Sequence, residues 1–234
     1  MKRNTMIAAL VALGVGIAGI AAKNAPFVNL FARDNLVAWC IVPFDSKHRG
    51  PEERAQMLKR LGITKLAYDW RDKDIPAFDQ EIDALAKHGI RLEAFWLPYP
   101  VDSSKPNRTQ LILDVLKRRN VKTQLWFMLA PPKSFDALPQ EEKLKTAAEA
   151  VAKVAVPAKA IGCTVALYNH GGWFGQPENQ VQIIRRLHMD NIGIVYNLHH
   201  GHEQLARFPQ LLMLMLPHMM AININGMRAE GPMV

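Results

Sequence analysis

The sequence of 234 residues predicts an α/β fold of the TIM-barrel type, a (β/α) repeat left incomplete at seven strands and six or seven helices. Three observations lead there. First, one phrase recurs: a helix-like segment ends in Gly or Asn, an apolar residue follows, and a strand-like run begins. It occurs at Gly62-Ile63, Gly89-Ile90, Asn120-Val121, Gly162-Cys163 and Asn191-Ile192, with spacings of 27, 31, 42 and 29 residues, enough for one strand plus one helix per unit. Gly or Asn at those points supplies the left-handed residue that ends a helix. Second, prolines 51, 76, 139 and 177 open helical segments, where a missing N–H costs nothing. Third, no GxGxxG or GxxxxGK loop follows a strand, which weighs against the competing open, nucleotide-binding sheet.

The elements follow in order. Lys2 and Arg3 precede an uncharged run over residues 6–22 that ends in small residues. That is the pattern of a secretory signal over 1–22, with an uncleaved N-terminal anchor as the alternative because 17 residues is at the short end of a bilayer span. Either places the protein outside the cytoplasm, in the periplasm or beyond the cell. Residues 23–35 read as a linker and 36–234 as one domain. Strands are predicted at 37–42, 63–70, 91–97, 122–129, 164–170, 192–197 and 220–225 from short apolar runs. Helices are predicted at 51–61, 76–88, 107–119, 139–160, 177–188 and 202–216 from apolar spacing such as Val181, Ile184 and Leu187. Pro209 is expected to break the last of these and Pro157 to bend the fourth. No eighth strand is legible before Val234. The barrel closes with fewer strands, or a partner completes it, or the reading frame is truncated. An open edge between the first and seventh strands would favour homo-oligomers.

Composition excludes more than it assigns. A 49% apolar content suits a globular domain with a large core. The net charge of +8 includes Lys2 and Arg3, and the other basic residues are scattered over helical segments without an aromatic-laced stripe, so nucleic acid is not an expected partner. Cys40 and Cys163, the two cysteines, lie in different strand-like runs and read as small buried hydrophobes rather than as a disulfide or metal pair.

The chemistry concentrates in three strand ends. VALYNHGGWFG, GIVYNLHHGHE and AININGM each turn from an apolar run into Asn and His where a strand hands over to a loop. Strand side chains alternate faces, so Tyr168 and His170 point one way, Asn197 and His199 share a face, and Asn223 and Asn225 share another. Ligands of parallel α/β folds bind at the carboxyl ends of strands. Amides and imidazoles there suit sugar hydroxyls, and the rings of Trp70, Trp96 and Trp173 at strand ends suit pyranose faces, although Trp is also a core filler. Among acids, Asp69 ends the second strand, and Glu93 sits in the third, where pairing with Lys65 or Arg91 is the plainer explanation.

The run LYNHGGW, the spacing Asn197-x-x-His200 and the βα repeat resemble the xylose isomerase-like TIM barrels, the sugar phosphate isomerase/epimerase superfamily that also includes endonuclease-IV-like enzymes. The resemblance covers residues 35–226. It implies a divalent metal (Mn, Zn or Mg) held by Glu, Asp, His and Glu at the ends of the last four strands, polarising sugar oxygens while two glutamates move a proton between neighbouring carbons. Carried over by position, the first Glu falls on Tyr168, the Asp on Asn197 and the His near Asn223 or Asn225, while Asn169, His170 and His200 match. The expected ligands are replaced, and a rearranged set from His170, His199, His200 or His202 is the remaining metal alternative.

The expectation is therefore a carbohydrate-binding site with His170, His200 and Glu93 in catalytic roles. Trp70, Trp96, Asn169, Trp173, Asn197, His199, Asn223 and Asn225 would contact the sugar. The leading activity is isomerisation or epimerisation of a sugar; the alternative is a non-catalytic carbohydrate-binding or scaffold domain.

Overall fold

The structure is a computed structural model and is described here for residues 29–224. The predicted N-terminal signal or anchor and Asn225 lie outside the described residues.

Each helix forms where its stop and start signals are strong. The α1 helix (Pro51–Leu61) has proline in its first turn and ends on Gly62 in the left-handed conformation. Gly89, Asn120 and Gly162 are left-handed as well, ending the units that contain α2 (Phe78–Lys87), α3 (Thr109–Arg118) and α4 (Gln140–Ala160). Asn191 is the exception. The left-handed cap of α5 (Pro177–Leu187) is His188, and Asn191 is buried, its Nδ2 donating to the Ala155 carbonyl at 2.9 Å. Pro76 lies in a 3-10 turn, Asp72–Ala77, ahead of α2, and Pro157 is accommodated inside α4. Pro209 acts as expected: a 3-10 segment, Leu198–Arg207, precedes it, and α6 (Phe208–Met215) starts beside it.

Between the helices run β1 (Lys65–Tyr68), β2 (Arg91–Pro100), β3 (Gln124–Ala130), β4 (Thr164–Tyr168), β5 (Ile192–Asn197) and β6 (Met219–Asn223). All are parallel, and they pair in chain order from β1 to β6. Among the described residues this is an incomplete TIM-barrel-like sheet of six strands, one fewer than expected. Residues 37–42 contribute only a bridge between Ala38 and Leu66, with Ala67 donating to the Ala38 carbonyl at 2.8 Å. Cys40 is left-handed (φ 55°) and Pro43 follows, so the chain turns off the sheet edge after one pairing.

Register decides what faces inward. Trp96, Trp126 and Ala166 are aligned across β2, β3 and β4, so the small alanine leaves room for two indoles. Two residues further on, Tyr168 aligns with Val195, and Asn197 with Asn223. By alternation from Ala67 and Ala94, the same inner face carries Asp69 just past β1. The outer face packs on helices: Tyr68, Phe78 and Phe95 meet edge to face at 5.0–5.9 Å. Beneath α1 and α2, Arg54 and Glu81 form a buried ion pair, and Arg54 also donates to the Arg49 carbonyl at 2.7 Å.

Candidate functional site

The site is built on Tyr168, the last residue of β4 and fully buried. Its ring stacks on Trp126 (centroids 5.9 Å, planes 10° apart) and lies 5.7 Å from Trp96. Above it are two imidazoles, His170 and His200, each 5.8 Å from the Tyr168 ring and 4.5 Å from each other. His199 lies 5.0 Å from His200, and His202 turns back so that its Nδ1 meets the His199 carbonyl at 3.0 Å. The short 3-10 segment after β5 therefore folds three histidines over the end of β4. Gly201 permits this turn, because a Cβ there would overlap the Tyr196 hydroxyl.

Asn197 locks the two layers together. Its Nδ2 donates to the Tyr168 hydroxyl at 2.7 Å, and its Oδ1 accepts the His199 N–H at 2.9 Å. Asn169 works behind it: Oδ1 accepts the Asn197 N–H at 2.6 Å, and Nδ2 donates to the Asn197 carbonyl at 3.0 Å. Asn169 is fully buried and spends its amide on β5, so it orders the site instead of reaching a ligand.

Other predicted residues sit elsewhere for reasons of register. Glu93 is skipped by an irregularity in which Leu66 pairs with Leu92 but Ala67 with Ala94. It lies at the amino end of β2, taking a 2.6 Å bond from Arg91 Nε and a 3.4 Å bond from Gln124, remote from the histidines at the carboxyl ends. Trp70 belongs to the outer core: it packs on Phe78 at 5.2 Å, and its Nε1 donates to the Trp96 carbonyl at 2.8 Å. Trp173 donates to Gln140 at 2.8 Å and meets Phe135 edge on. Trp96, Asn197 and Asn223 face the interior beside Tyr168, and His199 lies at the rim.

Besides Tyr168, two residues emerge here that the predicted site did not include. Asp69 is fully buried; its Oδ1 takes a long 3.3 Å bond from Val42 N–H, and its Oδ2 has no partner among the described residues. Cys40, read as a buried hydrophobe, is half-buried with its thiol against this carboxyl. Cys163 is buried in the core, as expected. The signal for Asp69 was visible, an acid ending an apolar run, but its direction depends on register.

Electrostatics follow from burial. Desolvation pushes Asp69 up to about 7, against the pull of the Val42 N–H, Arg71 and Arg54. Burial and Asp69 push the Cys40 thiol to about 12, and burial pushes Tyr168 to about 12 despite the Asn197 bond. Desolvation lowers His200 to about 4, helped by His170 and His199, and lowers His170 in the same direction. At neutral pH the floor of the site is a neutral phenol and its roof two neutral imidazoles.

The metal implied by the resemblance does not fit these residues. Among the described residues no group of three His, Cys, Asp or Glu side chains is placed to hold an ion. Where a carboxylate would offer lone pairs, Asn197 aims its NH2 group at the Tyr168 hydroxyl, and a donor N–H repels a cation.

No protein-family model matches the chain, and a search of curated proteins returned no match. Solved structures do match. A probable 3-DHS dehydratase from Bacillus anthracis superposes with a TM-score of 0.62 at 10% identity, over 80% of this chain and 71% of that one. A 3-keto-D-glucoside 4-epimerase from E. coli gives 0.58 at 13%, over 74% and 72%. The D-psicose 3-epimerase of Clostridium cellulolyticum, solved with D-tagatose, gives 0.60 at 13%, over 80% and 71%. The chain has the xylose isomerase-like TIM-barrel fold of these sugar epimerases.

Proposed function

We propose that this protein binds an uncharged carbohydrate at the carboxyl ends of its strands and acts on it by proton transfer of the isomerase or epimerase type, without a metal. The observation that carries the reading is the His170–His200 pair, 4.5 Å apart and seated over Tyr168. Neutral imidazoles both donate to and accept from hydroxyls, and an unprotonated nitrogen can take a proton from carbon. The pair titrates as a unit, since a proton on one ring raises the cost of a second on its neighbour. The matching epimerase structures support a sugar as the ligand class.

The test is solvent exchange. Sugars of the aldose, ketose and 3-keto-glycoside classes are incubated with the protein in D2O and followed by proton NMR. Deuterium appearing at one C–H position with wild type, and not with His170→Ala or His200→Ala, is the expected result. Sugar binding without exchange at any position would make the protein a carbohydrate-binding domain, a reading favoured by Tyr168 and Asn197 standing at the two positions where the resemblance implies carboxylate ligands.

Two further elements belong to this proposal. The charge and apolar pattern of residues 1–22 support export. Exposed Met213, Leu216, Ile222 and Ile224 on α6, β6 and just beyond each support self-association along that edge, which analytical ultracentrifugation would detect as a dimer or larger.

A further inference from the structure

The inner face holds more hydrogen-bond donors than the described residues use. Trp96 Nε1 is buried and meets no acceptor among the described residues, and the buried Asn223 amide has the Tyr168 hydroxyl beside it. The Tyr168 hydroxyl accepts from Asn197, while its own proton goes to no described residue. These groups belong together: Trp96 lies 5.7 Å from the Tyr168 ring, and Asn223 sits beside its hydroxyl. Asp69, with its unpartnered Oδ2, lies on the same inner face at the end of β1, with Cys40 next to it. Buried donors without partners are costly, so a cluster of them marks a place shaped for something that accepts.

We propose that Tyr168, Trp96 and Asn223, with the buried carboxyl of Asp69 on the same face, make a site for the carbonyl oxygen of a keto or lactone sugar. This rests on the carbohydrate reading and narrows it to a substrate class. A hydroxyl brings a proton that needs an acceptor, whereas a carbonyl oxygen offers only lone pairs and matches a set of donors. Burial holds Asp69 near neutrality, where much of it carries a proton, and the neighbouring Cys40 thiol keeps its own. A phenol and a protonated carboxyl in an apolar site are a known means of stabilising charge that develops on a carbonyl oxygen. Such donors would supply here the polarisation that a metal supplies in the enzymes this chain resembles.

The experiment uses pairs of ligands differing in that one oxygen. Aldono-1,5-lactones of gluco, galacto and manno configuration are compared by calorimetry with the 1,5-anhydro-alditols that lack the carbonyl. For the configuration that binds, the lactone is expected to bind about tenfold tighter or more, the order of one well-made buried hydrogen bond. Tyr168→Phe, which keeps the stacked ring, should abolish the preference. Asp69→Asn keeps a neutral donor and should retain the preference. Equal affinities within a pair, or a preference that survives Tyr168→Phe, would overturn this inference while the carbohydrate reading stands. Loss of the preference in Asp69→Asn would overturn the role given to a protonated Asp69. Failure of every sugar to bind would overturn both.

Discussion

Asn169 and Asn197 grip each other across β4 and β5, side chain to backbone, through bonds of 2.6 and 3.0 Å. The fully buried amide of one residue thereby fixes the strand end from which the other reaches Tyr168 and His199. Asn169→Ala would leave both Asn197 backbone groups unsatisfied inside the protein. The expected loss is about 2–5 kcal/mol of stability, read from urea unfolding, with the histidine NMR signals shifting as the 3-10 segment loosens.

Asp69 should write a pH dependence into stability. Its folded pKa of about 7 lies above the unfolded value, so the native state holds the proton more tightly. Its favourable contribution is full below about pH 4 and is lost as pH rises towards 7. Stability of wild type relative to Asp69→Asn should therefore fall by up to about 4 kcal/mol across that window, since one pKa unit is worth about 1.4 kcal/mol. Taking the difference between the two proteins cancels surface carboxylates such as Asp45 and Asp190, whose lowered values act in the opposite sense at lower pH. A flat difference from pH 4 to 7 would remove the buried acid from the account.

The Cys40 thiol, raised to about 12, should react slowly with a disulfide reagent at pH 8 although it is only half-buried. Replacing Asp69 by Asn removes one of the groups that raise it, and the reaction should speed up at least severalfold. Equal rates in the two proteins would show that the carboxyl does not govern the thiol.

Gly201→Ala forces a Cβ onto the Tyr196 hydroxyl, which donates to Gln204 at 2.8 Å. Overpacking of this kind costs roughly 1–3 kcal/mol. Tyr196→Phe in the same chain should recover part of it by removing the oxygen, measured by thermal melts of the single and double variants.

Much of the fold was legible because helix stops are local. Gly62, Gly89, Asn120 and Gly162 announce their left-handed turns in the residue itself. Asn191 carried the same signal and was used differently, because its side chain found the Ala155 carbonyl in the folded protein and His188 took the turn. The site was legible at its strand ends, where Tyr168, His170, Asn197 and His200 come together. Trp70 and Trp96 show the limit: both look like strand-end rings, but the inner face takes Trp96 and the outer core takes Trp70. That choice rests on register, as does the displacement of Glu93 by the irregularity between β1 and β2, and register is set by neighbouring strands distant in sequence. Cys40 was hidden for a related reason. Its apolar surroundings read as strand, while the turn at φ 55° serves a contact with Asp69 on another element.

The central claim is a carbohydrate held over Tyr168 by neutral imidazoles with no metal. Its most direct measurement is the affinity of a bound sugar, titrated at pH 7 with excess chelator and again with Mn²⁺, for wild type and His200→Ala. The account predicts the same affinity with and without the ion, and a loss of tenfold or more in His200→Ala, about the worth of one buried hydrogen bond. Binding that requires Mn²⁺, or that His200→Ala leaves untouched, would contradict it.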